Sequence, residues 1–347
     1  MTSNKRNLMH WATGQAPVLG DRDHVSTVVL EDPGYLHRLR SSEVVGPETV
    51  AFLPGGPSDD TGPVVVAYTG SLREPGSEIS LSDSFFLQTQ DYATSEFMSV
   101  IGPTAIRIFT EADFELFLDD ADRAKAEGEF REFLMHPAVR LADVPALGAG
   151  TDRDGPQHRL FVSADGAIST SPTGSPIGHA GDDLPSLRKE WVRRNAESDT
   201  PCAICLAAAV PDDRRVAELT SRPWLRRYHG AIMAIQDLLA RGESDIRVSG
   251  FGGRLVRGLE EVADPVDMAT TDLPQLLWTE SSAYVHMPWP SRTFKVEHRA
   301  GQLVEALLVC GSAEAAAEHD DPAGLARVTE FFAKAGVRLT PEKVAAL

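Results

Sequence analysis

The stretch "RTFKVEHRAGQLVEALLVCGSAEAAAEHDDPAGLARVTEFFAKAGVRL", from Arg292 to Leu339, decides the fold predicted for the last part of this chain. It opens with an alternating run from Thr293 to Arg299, which predicts a β-strand. Phe294, Val296 and His298 would lie on one face of that strand, because successive side chains point to opposite faces of a sheet. Three apolar segments with helical spacing follow, so we expect one strand and then three short helices.

Capping residues separate these three helices. The first begins near Gly301 and ends at Gly311, and Ser312 is a suitable N-cap for a short second helix. Asp321 caps the third helix, with Pro322 at its first position, as is typical of helix starts. The apolar side of the third helix is formed by Leu325, Val328, Phe331, Phe332 and Ala335.

Two further strands are predicted just before this stretch. The run "SSAYVHM", from Ser281 to Met287, alternates in the same way, and "MPWPS" after it is typical of a turn. The run "LLWTE", beginning at Leu276, indicates one more strand. Residues 275–347 therefore have the order β-β-β-α-α-α, which is that of a winged-helix-like domain.

The residues before this module have a mixed α/β pattern, so the predicted fold class is α+β. A chain of 347 residues with 42% hydrophobic content is long enough for two or three domains with their own cores. We place a mixed α/β domain at residues 1–150 and a second α/β domain, without an assigned role, at residues 151–270. The boundaries are polar segments without periodicity, from Gly148 to Gln157 and from Ala263 to Gln275.

Local patterns assign several elements within these two domains. Strands are predicted for "VSTVVL", "PVVVAYTG", "SFFLQTQ" and "AIRIFT", and a hairpin for "HRLFVSADGAISTSPTGSPIG". The strongest helix runs from Arg222 to Gly242, where the apolar residues recur with a helical period. The segment from Gly46 to Pro63 is rich in Gly, Pro and Asp, so we predict a loop there.

The charge balance limits the classes of partner. Acidic residues exceed basic ones by 51 to 33, and the formal net charge of −18 repels nucleic-acid backbones. Residues 275–347 carry seven basic and nine acidic residues, a net charge of −2, which does not favour a DNA-reading domain. The sequence contains no apolar run long enough for a membrane span or a signal peptide. We therefore expect a cytoplasmic protein without nucleic-acid or membrane partners.

The sequence contains no recognisable catalytic motif. Cys202 and Cys205 have the spacing of a redox dithiol or of half a zinc site, but no second pair accompanies them. We interpret them as buried small side chains, with a metal site and a redox role as the alternatives. The run "SGFGGRLVRG", from Ser249 to Gly258, lacks the complete pattern of a dinucleotide- or phosphate-binding loop, so we interpret it as a bend. We expect no catalytic residue, no metal and no cofactor.

The C-terminal module resembles the precursor-recognition element of pathways that make ribosomally synthesised and post-translationally modified peptides (RiPPs). The matching segments are "RTFKVEHR", "LVEALLVCG", "AEAAA" and "LARVTEFFAKAGVRL", and the ending "FFAKAGVRL" has the pattern typical of the family's last helix. The residues before it are similar, more loosely, to the recognition proteins of actinobacterial daptide-type clusters, in "GPQHRLFVSADGAISTSPTGSPIG" and "HPAVRLADVPALG". In many relatives the element is N-terminal or stands alone, whereas in this chain it is C-terminal.

The resemblance implies that a leader peptide adds a strand to the sheet beside the run from Thr293 to Arg299. Lys295 and Arg299 would pair with carboxylates of the leader, and the third helix would form the wall of the groove. The peptide-binding residues implied in this way are Thr293, Phe294, Lys295, Val296, Glu297, Arg299, Leu325, Val328, Thr329 and Phe332.

The function implied is capture of a precursor peptide and its presentation to tailoring enzymes of the same cluster, by a protein that is itself non-catalytic or weakly catalytic. One alternative is a peptide-modifying enzyme of such a pathway, with an active site within residues 1–270. The other alternative is a DNA-binding regulator, which the charge balance disfavours.

Overall fold

The computed structural model describes residues 3–15, 23–55, 63–149, 155–196, 202, 204–262, 273–288 and 291–341. The fold is mixed α/β, with a large sheet and several helices. Contacts group the chain into two compact units, residues 1–117 with 138–222 and residues 118–137 with 223–347. The sequence predicted three successive domains, and the independent folding of each of those segments stays a prediction.

The first unit contains a ten-stranded sheet with the order β10-β9-β8-β1-β2-β3-β4-β5-β6-β7. Its strands are β1 (Thr27–Leu30), β2 (Val50–Pro54), β3 (Val64–Gly70), β4 (Glu78–Leu81), β5 (Phe85–Asp91), β6 (Thr104–Arg107), β7 (Val139–Leu141), β8 (Arg159–Val162), β9 (Ala167–Ser169) and β10 (Gly178–His179). β8, β1, β2 and β3 pair in parallel, as do β5, β6 and β7, and β4 joins these two groups by antiparallel pairing. The predicted hairpin is confirmed as the antiparallel pair β8–β9.

The loop predicted from Gly46 to Pro63 is wrong in part, because β2 lies within it. Val50 to Leu53 are buried, and the strand pairs with β1 on one side and with β3 on the other. A central parallel strand is covered on both faces, so its residues do not alternate between apolar and polar. The flanking Gly and Pro residues therefore give the segment the composition of a loop, although it contains a buried strand. Residues 56–62 lie outside the described residues.

The helices of residues 3–240 are divided between the two units. They are α1 (Ser3–Thr13), α2 (Leu36–Ser41), α3 (Glu111–Glu127), α4 (Glu132–Met135), α5 (Leu184–Ala196), α6 (Asp212–Thr220) and α7 (Leu225–Ala240). In α1, Leu8, Trp11 and Ala12 are buried in one apolar cluster with residues of β1 to β6 and of β8. The indole Nε1 of Trp11 donates to the carbonyl oxygen of Leu160 in β8, at 2.8 Å. α1 is therefore a core element of the first unit, which the sequence pattern did not indicate.

A buried ion cluster joins three segments of the first unit. Arg159, at the start of β8, donates to Oδ1 of Asp143 at 2.6 Å, and Nη1 of Arg107 lies 3.8 Å from Oδ2. All three side chains are buried. Burial lowers the pKa of Arg107, while the charge of Asp143 raises it and the charge of Arg159 lowers it further. The Asp143 carboxylate thus sits between two guanidinium groups that are cut off from water.

The second unit contains a four-stranded antiparallel sheet with the order β11-β12-β13-β14. Its strands are β11 (Arg247–Val248), β12 (Gln275–Trp278), β13 (Ala283–Met287) and β14 (Arg292–Val296), and the helices after them are α8 (His298–Cys310), α9 (Ala313–Ala316) and α10 (Pro322–Lys334). α8 and α10 share a core cluster with β12, β13 and β14. α7 lies against the same sheet, because Gln275 donates to the carbonyl oxygen of Arg227 at 2.5 Å.

The caps predicted for the last two helices are confirmed. Ser312 accepts from the backbone N–H of Ala315 at 3.1 Å, and Asp321 accepts from that of Gly324 at 2.8 Å. Gly311 ends α8 in a left-handed conformation, at φ 71°. These caps satisfy orphan N–H and C=O groups within the local chain, which is why sequence alone was sufficient to find them.

The strand predicted from Thr293 to Arg299 is wrong at its far end. β14 ends at Val296, and Glu297 stands at the N-cap position of α8 in an extended conformation, at φ −69° and ψ 154°. His298 and Arg299 form the first turn of α8, which therefore begins earlier than the predicted start near Gly301. The apolar and polar alternation continues by coincidence into that first helical turn, so periodicity could not mark the boundary.

Candidate functional site

β14 is the edge strand of the smaller sheet. It pairs with β13 on one side, and no described strand pairs with its other side. An edge strand presents unpaired backbone donors and acceptors, and such an edge is a template on which another extended chain can pair. This edge, of five residues, offers a longer template for an added peptide strand than the two-residue β11 at the other edge of the sheet.

The hydrogen-bond pattern of the sheet shows which backbone groups of β14 face outward. Ser249 donates its backbone N–H to the carbonyl oxygen of Leu276 at 2.9 Å, so the backbone groups of Leu276 point toward β11. Val285 lies opposite Leu276 in β13. Its backbone N–H and C=O groups must then point toward β14, where Val285 faces Phe294. In antiparallel sheets bonded and non-bonded pairs alternate. Phe294 is therefore bonded to Val285, and its two neighbours point away from the sheet.

Those two neighbours are Thr293 and Lys295. Their N–H and C=O groups lie along the open edge, while the residues between and beyond them bond to β13. Thr293 is half-buried and Lys295 is exposed, which is consistent with an edge that no described segment covers. Four backbone groups, two donors and two acceptors, are thus available to an added strand.

The two faces of β14 contact different partners. Phe294 and Val296 pack against the core beneath α8 and α10, and the ring of Phe294 meets that of Phe332 edge-on at 5.5 Å. On the other face, Oγ1 of Thr293 donates to Oδ2 of Asp237, in α7, at 2.7 Å. The side chains of β14 are therefore held from both sides, and its geometry does not depend on a bound peptide.

A buried histidine extends this network behind the edge. Nδ1 of His286, in β13, lies 2.9 Å from Oγ1 of Thr293. Because the Thr293 hydroxyl donates to Asp237, it accepts from a protonated Nδ1 of His286. Burial lowers the pKa of His286 to about 4, against the opposing charge of Asp237, while Arg241 lowers it further. Sequence spacing did not indicate this network, because Asp237 is 56 residues from Thr293.

Lys295 is the cation closest to the middle of the open edge. Its Nζ lies 3.3 Å from Oε1 of Glu243 and 5.4 Å from the centre of the Tyr284 ring. The neighbouring Tyr284 side chain and then the Glu243 carboxylate raise the pKa of Lys295, so the ammonium group stays charged at neutral pH. Its side chain remains more than half exposed, and a ligand carboxylate can therefore reach it.

The residues predicted to wall the groove divide into core and surface. Leu325 and Phe332 are each 1% exposed and belong to the core, and Val328 packs partly against it. Thr329 is exposed, and its hydroxyl donates to the carbonyl oxygen of Leu325 at 2.9 Å. The large apolar side chain that α10 leaves at the surface is Phe331, which is 58% exposed and absent from the predicted site.

Glu297 and Arg299, also predicted for the site, are not on the strand. Glu297 precedes α8, and Arg299, in its first turn, forms an ion pair with Asp320, just before α10. The structure brings Thr293, Phe294, Lys295 and Val296 together on β14 and places α10 beside them through the Phe294–Phe332 contact. Arg299 thus connects two helices of the unit and does not extend the row of side chains on β14.

The glycine-rich run after β11 is a bend, as predicted. Gly250 and Gly252 have φ of 84° and 70°, and Phe251 bridges back to Val248. The backbone N–H groups of Leu255 and Val256 donate to Glu305 of α8, at 3.0 and 2.6 Å. A carboxylate of the protein itself occupies the position that a ligand phosphate would need at these two N–H groups.

Cys202 and Cys205 are buried, as their interpretation as small buried side chains predicts. Sγ of Cys205 lies 3.3 Å from Oγ1 of Thr170, and the carbonyl oxygen of Cys205 accepts from Thr173. Within the described part of the chain, no group of three His, Cys, Asp or Glu side chains is placed to hold a metal ion. None of the helices described there is long and apolar enough to cross a membrane.

Comparison with known proteins adds no family to this geometry. No protein-family model, no curated protein and no solved structure matches the chain.

Proposed function

We propose that this protein binds the leader of a ribosomally made precursor peptide as an added strand beside β14, and presents it to tailoring enzymes. The observation that carries the proposal is the open edge, where the backbone groups of Thr293 and Lys295 point away from the sheet. Strand addition takes its affinity from main-chain hydrogen bonds and its specificity from the side chains that flank them.

The charge of the edge favours an acidic peptide strand. Arg292 and Lys295 are both exposed on β14, in a chain whose formal net charge is −18. Two copies of β14 paired with each other would bring these cations together, and like charges on paired strands are destabilising. The same two cations attract a strand that carries carboxylates, and they speed the encounter more than they strengthen the final complex.

The arrangement of β12, β13 and β14 followed by α8, α9 and α10 supports a winged-helix type of recognition domain. Its contact surface would consist of β14, with Phe331 and Thr329 exposed on the neighbouring helix α10. An apolar leader side chain could cover Phe331, because exposed aromatic residues of this size are typical anchors of interfaces. Such a protein would act in the cytoplasm, where precursor peptides are made.

The direct test is binding of fluorescently labelled leader peptides, encoded by short genes next to this one, to the full chain. We expect a rise in anisotropy that saturates and that an unlabelled leader reverses. A backbone N-methylated leader, which cannot donate along its length, should bind about tenfold more weakly or worse. Equal binding of the methylated and unmethylated leaders contradicts strand addition. Absence of binding by any such leader favours an enzyme or a DNA-binding regulator.

A further inference from the structure

A pocket lies in the second unit, beside the bend that follows β11. Its volume is about 420 Å³, within the lower part of the range typical of small-molecule sites. Its walls come from the end of α3 and from the chain between β11 and β12, and they consist of Lys125, Ala126, Gly250, Gly252, Gly253, Arg254, Glu260 and Val262. Neither the sequence patterns nor the proposed peptide site accounts for it.

Two basic side chains, those of Lys125 and Arg254, and the carboxylate of Glu260 are among the groups that line this pocket. Glu260 already accepts the backbone N–H of Gly258 at 2.6 Å, so part of its capacity as an acceptor is used within its own loop. Basic side chains in a concave site attract an anion more strongly than the same charges on a flat surface.

A buried chain of hydrogen bonds fixes the position of Arg254. Its Nη1 donates to Oγ of Ser249 at 3.0 Å, and Ser249 donates to Oε1 of Glu305 at 2.7 Å. Glu305 is completely buried, and burial raises its pKa while the hydrogen bond from Ser249 lowers it. The guanidinium group is therefore oriented before any ligand arrives, and a preoriented donor loses less entropy on binding.

Lys125 is positioned by aromatic rings. Its ammonium nitrogen lies 5.5 Å from the centre of the Phe251 ring and 6.0 Å from that of Trp224. These contacts hold Lys125 next to the loop that carries Arg254, so both cations line the same pocket. A cation over aromatic faces keeps its charge and can still donate to an oxyanion.

The three glycines of the pocket have different roles. Gly252 is required by packing, because a Cβ there would come within 2.4 Å of the backbone carbon of Glu127. A Cβ on Gly250 would come within 3.2 Å of the Arg254 guanidinium group. A Cβ on Gly253 would meet no atom within 4 Å, and Gly253 is not among the residues with positive φ. Gly253 therefore borders open space in which a larger side chain can be placed.

We propose that this pocket binds a small organic oxyanion, a molecule with a phosphate or carboxylate group held by Lys125 and Arg254. Arginine presents a planar pair of N–H donors that matches the geometry of either group. Lysine adds a point charge. The site is separate from the strand-addition edge, so the proposal does not depend on peptide binding.

Equilibrium dialysis of the full chain against radiolabelled inorganic phosphate, and separately against citrate, tests this proposal at low ionic strength. We expect saturable binding of at least one of the two probes, at one site per chain. Gly253→Leu should weaken it about tenfold or more by filling the pocket, since nothing crowds the new side chain. Arg254→Gln should have a similar effect by removing one cation.

Lys189→Gln is the matched control, because it removes one positive charge from an exposed residue of the first unit. It should bind the probes as the wild type does. Binding of phosphate alone or of citrate alone identifies the preferred oxyanion and supports the site. Absence of saturable binding of both probes by the wild type overturns the proposal, as does undiminished binding by a folded Gly253→Leu variant. Circular dichroism establishes folding, and if Arg254→Gln is unfolded, Gly253→Leu alone decides.

Discussion

Oγ1 of Thr293 lies 2.9 Å from Nδ1 of His286, so the hydroxyl of the edge strand is bound to a neutral, buried imidazole on the strand behind it. This pairing links the ionisation of one histidine to the stability of β14. The pKa of His286 is lowered to about 4 in the folded chain, mainly by burial, from a value near 6.5 when unfolded. The unfolded chain therefore binds the proton first.

The first prediction follows from the sign of that shift. The contribution of His286 is fully present above about pH 6.5 and is lost as the pH falls toward 4, by at most about 3 kcal/mol. We expect the free energy of unfolding of the wild type, minus that of His286→Gln, to decrease over this range in urea titrations. A difference that stays constant from pH 7 to pH 4.5 would contradict the buried neutral histidine.

The second prediction concerns the edge itself. Proline at Lys295 removes an N–H that points away from the sheet, so the fold should persist while leader binding weakens about tenfold, roughly 1.4 kcal/mol. Proline at Phe294 removes an N–H bonded to Val285 and should destabilise the unit itself. Circular dichroism and fluorescence anisotropy separate the two effects. Equal leader affinity of the wild type and a folded Lys295→Pro variant would exclude pairing at this edge.

Lys295→Ala gives a third prediction, which separates charge from backbone. This variant keeps every backbone donor, so it should lose less affinity for the leader than Lys295→Pro does. Its loss should be larger at low ionic strength, because attraction between exposed charges is screened by salt. An equal loss at low and high salt would show that the ammonium group does not act by charge.

The two adjacent phenylalanines of α10 give a fourth prediction. Phe332→Ala should lower the free energy of unfolding by about 3–5 kcal/mol, because it opens a cavity beneath β14. Phe331→Ala removes a ring that is 58% exposed and should change stability by less than about 1 kcal/mol. Urea denaturation of the full-length variants measures both. Similar losses for the two variants would mean that Phe331 is also part of a packed surface.

The fifth prediction concerns the ion cluster of the first unit. Asp143→Ala leaves Arg107 and Arg159 buried without their carboxylate, and breaking such a pair costs about 3–5 kcal/mol. The control is Arg214→Gln, which removes the partner of Glu111 and Glu115 at the surface and should cost about 1 kcal/mol or less. The midpoint temperatures of thermal unfolding compare the stabilities of the two variants. An Asp143→Ala variant as stable as the control would contradict the burial of this cluster, because it would mean that water solvates the two guanidinium groups.

The elements that sequence predicted well are those fixed by neighbours in the chain. Ser312 and Asp321 cap their helices through residues two or three positions away, and the β8–β9 hairpin closes within a few residues. The predicted apolar side of α10 is buried at Leu325 and Phe332, whereas Phe331 stays exposed. Periodicity assigns side chains to a face of a helix, but it does not say how far that face is covered.

The elements that sequence missed depend on distant partners. β2 is a strand because β1 and β3 lie on either side of it, and the local excess of Gly and Pro concealed this. Asp237, His286 and Glu305 meet their partners from other elements, so no spacing rule could find them. For the candidate site, the sequence located β14 but not the direction of its backbone groups, which only the pairing of β11, β12 and β13 reveals.

The position of α1 has a consequence for how the chain folds during synthesis. Trp11 bonds to the carbonyl of Leu160, 149 positions further along, and its cluster also needs strands made at every stage between them. At the usual pace of translation, about 5–20 residues per second, roughly 7–30 s pass between the synthesis of α1 and that of its last partner strand. During that interval the strands that cover the apolar side of α1 are not all present. The first unit therefore cannot complete its core until β8 has been synthesised.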